Sequence, residues 1–105
     1  MKRGSSQPPP IKGAASVPDA LIASLTDQGE LELANLVRER DALGRERYGT
    51  PLETNNGRDM HKDARDELGD LLQYTYAMHM TGDERLEPLM EEIERALQFL
   101  LKFGR

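Results

Sequence analysis

Leu86, Leu89, Met90, Ile93, Leu97, Leu100 and Leu101 recur at intervals of three and four residues, which places them on one face of a helix. A strand would need alternation every second residue, so this stretch has only one regular solution. Thr81-Gly82-Asp83-Glu84 has the spacing of a capping box, which predicts that this helix opens there and runs to about Phe103. The same signals recur upstream. Pro18 suits a first helical turn and opens a short predicted helix over 18–25. Asp27 and Glu30 have capping-box spacing and predict a second helix from near Gln28 to about Tyr48, stopped by Gly49 and Pro51. The loop over 49–57 ends in the turn signal Asn55-Asn56-Gly57. Asn56, with Asp59 three residues on, marks a third helix reaching about Met80. The expected fold is all-α: three long helices and a short N-terminal one.

Aromatics are 5% of the residues and charged residues 31%, a balance that suits helices better than an aromatic-rich sandwich. The 105 residues allow one domain at most, expected over 18–105. Residues 1–17 are rich in Pro, Gly and Ser and read as a flexible, extended basic arm, with Lys2, Arg3 and Lys12 and no acid. The remainder is therefore more acidic than the overall net charge of −5. That balance argues against nucleic acid as the main partner and permits a divalent cation. With no Cys, a metal would fall to carboxylates. His61 and His79 stand singly and read as surface or packing residues. No apolar run approaches the ~20 residues of a membrane span, and none follows Lys2-Arg3 as in a secretory signal. The chain reads as soluble and cytoplasmic. Three helices and a short fourth make a thin core, so completion as a homodimer or homotetramer is expected, with the apolar face of the last helix as the seam.

The third predicted helix carries the densest chemistry. At about 100° per residue, Met60, Ala64, Leu68, Leu71, Thr75 and Met78 share a face, and Asp63, Glu67 and Asp70 form a row beside it. Glu67 falls nearest the boundary, which predicts partial desolvation. On the second helix Leu33, Leu36, Val37 and Leu43 form the apolar face, edged by Glu32, Glu39 and Glu46 at intervals of seven. If the two helices pack antiparallel through these faces, both acid rows line one cleft. Like charges at i, i+4 cost about 0.2–0.5 kcal/mol per pair on an isolated helix, and more beside a core. Mg²⁺ relieves such crowding, because it takes oxygen ligands and binds through a few carboxylates plus substrate phosphates. The plainer alternative is a solvated face, since Lys62 and Asp66 are an i, i+4 pair and Arg58 and Arg65 lie nearby.

The stretch DELGDLLQY, with Glu67 and Asp70 as an ExxD pair, resembles the second half of the signature of MazG-like all-α nucleoside triphosphate pyrophosphohydrolases. The preceding RERYGTPLETNNGRD resembles small phage-type members, and the likeness covers about residues 30–80. It implies a helical bundle in which an ExxD pair and an ExxE pair on an earlier helix hold Mg²⁺, with Mn²⁺ as a substitute. It also implies cleavage of a (d)NTP to monophosphate and pyrophosphate, with a purine dNTP such as dGTP or dATP as substrate, in the host cytoplasm for a phage protein. Glu67 and Asp70 match the motif. The ExxE half departs, because Leu36 stands three before Glu39 and Leu43 three before Glu46. Glu39 as a further catalytic and metal residue, and Glu46 and Asp63 as further metal ligands, follow from helical geometry alone.

Phosphates also call for cations and donors. Arg47 falls on the apolar side of the second helix, where it either spreads its stem over the core or points into the cleft. Lys62 is the second cation and Asn56 a base- or sugar-binding candidate, although a plain turn and helix cap also accounts for Asn56. Tyr74 can stack on a base or simply pack. The rival to an enzyme is a non-catalytic helical oligomerisation or regulatory module that keeps the scaffold and has lost ExxE.

Overall fold

The computed structural model describes residues 7–103. Among them the regular structure is entirely helical: α1 Val17–Asp27, α2 Leu31–Tyr48, α3 Met60–Met80, a 3-10 turn Glu84–Leu86 and α4 Glu87–Phe103. None of these helices is long and apolar enough to cross a membrane. The elements group into two compact units, Pro8–Arg58 and the chain from Asp59 onward together with Gln7.

In the Pro8–Arg58 unit, α1 packs on α2. Ser16 caps α1 and accepts from the Asp19 amide, with Pro18 in the first turn. The predicted capping box at Asp27 does not start α2. Asp27 is the last residue of α1, and Glu30 precedes α2 with no side-chain cap. Gly29 takes φ 79°, its N–H donates to Thr26 O and the Glu30 N–H to Leu25 O. That pattern closes a helix C-terminus in a Schellman motif, so glycine's freedom at positive φ outweighed the box. Gly49 ends α2 in the same left-handed region, donating to Arg45 O.

The face of α2 that is covered differs from the expected one. Ala34 is fully buried and Val37, Asp41 and Gly44 are half-buried, again at intervals of three and four. Leu33, Leu36 and Leu43 instead stay 49–54% exposed. Arg45 ties the two helices: its guanidinium meets Asp41 at 2.9 Å and Asp19 of α1 at 3.3 Å. The hydrogen bond to Asp41, with both carboxylates nearby, raises the Arg45 pKa against the opposing cost of desolvation.

Residues 8–16, part of the segment read as an arm, form no helix, and from Ile11 they lie along the loop that follows α2. The amides of Ile11, Ala14 and Val17 donate to Asn56 O, Thr54 O and Leu52 O at 3.0, 2.8 and 2.8 Å. The Thr54 amide returns a bond to Ala15 O at 2.9 Å, and Ser16 and Glu53 form an isolated antiparallel bridge. Residues 1–6 of the arm lie outside the described residues.

In the other unit, α3 packs on α4. Ile93 is 4% exposed and Leu86, Met90, Leu97 and Leu100 are half-buried, a stripe at intervals of three and four. The matching row on α3 is Leu68, Leu72, Thr75 and His79. This part of the apolar face of α4 is used within the chain, where the helix packs against α3. Leu89 and Leu101, expected on that face, are 40% and 69% exposed. Asp59 caps α3 by accepting from the Lys62 amide at 3.2 Å, so the helix starts at Met60 and Asn56 lies outside it. Thr81 closes α3 rather than opening the next helix, and its hydroxyl donates to Met78 O. Asp83 does the opening, capping the 3-10 turn.

Candidate functional site

On α3 the acids keep the side that their spacing assigns them, but with unequal burial. Asp70 is 7% exposed and engaged in a polar or electrostatic interaction. Asp63 is half-buried and accepts from Gln7 Nε2 at 2.9 Å. The same Gln7 amide also donates to Asp59 O at 3.2 Å, which fixes the start of the helix. Glu67 is exposed, so the expected desolvation falls on Asp70 and not on Glu67. The apolar row drawn through Met60, Ala64, Leu71 and Met78 is misplaced as well. Those four are exposed, and Leu68 and Thr75 alone of that set face inward, joined by Leu72 and His79. At 100° per residue that row lies nearly opposite Asp70, so the burial of Asp70 does not come from it. Tyr74 is likewise 54% exposed.

Lys62 Nζ stands 3.4 Å from Asp66 Oδ2 with both side chains about one-third exposed, the ordinary i, i+4 pair. Such pairs contribute roughly 0.2–1 kcal/mol. On α2, Glu39, Glu46 and Arg47 are all exposed. These three belong to the Pro8–Arg58 unit, whereas Lys62, Asp63, Glu67 and Asp70 belong to the other. Among the described residues no three His, Asp or Glu side chains are arranged to hold a metal ion. The donor set on α3 is nonetheless all oxygen, the type Mg²⁺ takes, and that ion needs few protein ligands when substrate phosphates supply others.

Asn56 is 2% exposed. Its Oδ1 accepts from the Arg58 amide at 3.1 Å, a turn contact of the kind asparagine makes locally. Its Nδ2 is buried with no partner. Leaving such a donor unsatisfied costs on the order of 1–3 kcal/mol. Asn55 beside it adopts φ 56° and Gly57 φ 83°, the left-handed conformations the turn requires.

Glu53, not singled out by any motif, is the buried carboxylate of this loop at 9% exposed. It accepts from the Gly13 amide at 2.8 Å and the Thr50 hydroxyl at 3.3 Å, with Lys12 Nζ at 4.0 Å. The Gly13 bond, helped by Lys12 and Thr50, holds its pKa below the usual carboxylate value against the cost of burial. Gly13 must be glycine here: a Cβ would stand 2.1 Å from Thr54 O and 2.8 Å from Glu53 Cβ. No motif pointed to this contact, whose partners are 40 residues apart.

No protein-family model, curated protein or solved structure matches the chain. Chemically, the acidic side of α3 can take a hard cation, and the loop over 50–58 can offer amide donors to an oxygen acceptor.

Proposed function

We propose that this chain is a Mg²⁺-dependent nucleoside triphosphate pyrophosphohydrolase acting on a purine dNTP such as dGTP or dATP. The observation that carries the reading is the ExxD pair, Glu67 and Asp70, set with Asp63 along one side of α3. The resemblance of ELGDLL to the MazG-like signature adds the reaction class, and the homo-oligomer belongs to the same proposal. Glu67, Asp70 and Asp63 would hold the metal, and Glu39 and Glu46 of α2 are the further acids of the proposal. When bound, the ion neutralises phosphate charge and lowers the pKa of a coordinated water. Water attacks the α-phosphorus, the bond to the α–β bridging oxygen breaks, pyrophosphate leaves, and a carboxylate of the set takes the proton. Lys62 would supply a cation to the phosphates by exchanging its Asp66 partner for the ligand, and Arg47 and Asn56 are the further candidates, as a cation and a donor.

The test is incubation with each common NTP and dNTP plus Mg²⁺ or Mn²⁺, with the products identified. Nucleoside monophosphate and pyrophosphate are expected; stepwise release of single phosphates refutes the reading. Glu67→Gln should lower turnover at least ~100-fold with helical content unchanged by circular dichroism, because it removes both a ligand charge and a proton acceptor.

One observation favours a second reading, a non-catalytic helical module. Leu36 and Leu43 stand where an ExxE pair would need acids, and with Leu33 they form a half-exposed apolar stripe on α2. That module would release no pyrophosphate from any nucleotide, and its melting would be indifferent to a chelator.

A further inference from the structure

The Pro8–Arg58 unit contains a buried donor without an acceptor and, hydrogen-bonded to the same residue, a segment held by replaceable bonds. The donor is Asn56 Nδ2, and the Oδ1 of the same amide is taken by the Arg58 N–H. The Nδ2 group has only hydrogens to give. The covering segment is 11–17. Ile11 donates to Asn56 O, and its Cγ1 and Cδ1 lie 3.5 and 3.6 Å from where a Cβ on Gly57 would stand. What holds the segment is a short run of backbone bonds, one carboxylate (Glu53) on the Gly13 amide, and the Thr54 hydroxyl on the Ala15 amide.

We propose that residues 11–17 are a strap closed over the turn at Asn56 and Gly57, and that Asn56 Nδ2 donates to an oxygen of a ligand that enters when the strap lifts. The strap occupies the loop edge as an added strand does, through main-chain bonds that another acceptor can replace. The glycine at 13 is what lets it lie flat. A donor-only NH₂ group calls for an acceptor, and the oxygen of a phosphoryl group or a base carbonyl supplies one equally. The choice of a nucleotide as the source rests on the function proposed above, while the strap itself does not.

Gly13→Ala separates these elements, because its Cβ cannot fit against Thr54 O. Trypsin cleavage after Lys12, which needs the segment released, should be about tenfold faster in the variant, the ratio expected from losing a hydrogen bond or two. Affinity is then measured with Mg²⁺ and two probes, the α,β-imido analogue of dGTP and inorganic tripolyphosphate. A gain for both identifies a phosphoryl oxygen as acceptor, and a gain for the analogue alone identifies the base; either supports the proposal. The gain should vanish when Asn56→Ala is added. Glu53→Gln is the milder second variant should Gly13→Ala fail to fold, and it should move cleavage and affinity in the same direction. Unchanged cleavage in the opened variants, no gain for either probe, or a gain that survives Asn56→Ala overturns the proposal. Failure of pyrophosphate release by the wild-type protein sinks the enzyme reading but leaves these binding arms intact. Normal turnover with an unresponsive strap does the reverse.

Discussion

The two compact units are closed by opposite chemistry. The one built on α3 and α4 is closed by an apolar stripe with Ile93 at its centre, 4% exposed. The Pro8–Arg58 unit has Ala34 as its fully buried apolar residue, and its other closure is polar, through Glu53 and Asn56 beneath residues 11–17. An apolar seam is non-directional and roughly proportional to buried area, so it tolerates pH and salt. A clasp of backbone amides on one carboxylate is directional and charged, so single atoms and protons decide it. The same short chain thus holds a region suited to carrying load and a region suited to opening.

The largest effect that can break this contrast is at Ile93. Ile93→Ala removes the most buried large side chain of its unit and should cost about 2–5 kcal/mol in urea unfolding. Leu89→Ala, one turn away but 40% exposed, should cost well under half as much. Equal losses at the two sites would mean the stripe is not the closure. Unfolding of the Pro8–Arg58 unit, followed by hydrogen exchange at Ala34 and Val37, should change least.

The polar closure answers to pH instead. Glu53 has a folded pKa below its unfolded value, so its contribution is fully present above the unfolded value. It is lost as the solution is acidified through the folded one. Exchange protection at Thr54 and Val17 should therefore fall on acidification through the carboxylate range, and Glu53→Gln should flatten that dependence. The α3–α4 unit has its own acid-sensitive group in Asp83, which the Arg85 guanidinium and amide hold at about 2. Asp83 caps only the exposed 3-10 turn, at Arg85 distances of 2.8 and 2.9 Å. Acid should fray that turn and leave the Ile93 stripe protected. Loss of the stripe before Thr54 would reverse the contrast.

Helix number, order and approximate ends were readable because period, proline and glycine act within a few residues. The misplaced signals were local as well: Asp27-x-x-Glu30 and Thr81-x-x-Glu84 fit a capping box, yet each lies where a preceding helix ends. A glycine at positive φ two or three residues on was the stronger cue in the first case. Which face turns inward was less readable. On α2 the leucines define the most hydrophobic face, but Ala34, Val37, Asp41 and Gly44 lie on the covered one. On α3 only Leu68 and Thr75 of the expected row turned inward, and the burial of Asp70, nearly opposite the covered row, followed from no helical period. The clasp was unreadable in principle, since Gly13 and Glu53 meet across forty residues with no period linking them. The acidic side of α3 was legible because helical spacing alone sets it.

The smallest effect sharpens the comparison at the acidic side itself. Gly44 and Gly69 both sit inside helices, where glycine costs roughly 0.5–1 kcal/mol relative to alanine. At neither would a Cβ meet anything within 4 Å. Packing therefore gives no reason for either glycine, and alanine should stabilise both helices by that amount, raising the urea midpoint. Gly44 faces the α1–α2 contact and Gly69 lies next to Asp70 on the motif helix. If Gly69→Ala stabilises the protein yet weakens nucleotide turnover while Gly44→Ala leaves turnover alone, the missing side chain serves a ligand approaching α3. Should both variants gain stability at full activity, the acids beside Gly69 act without any close approach to the helix backbone.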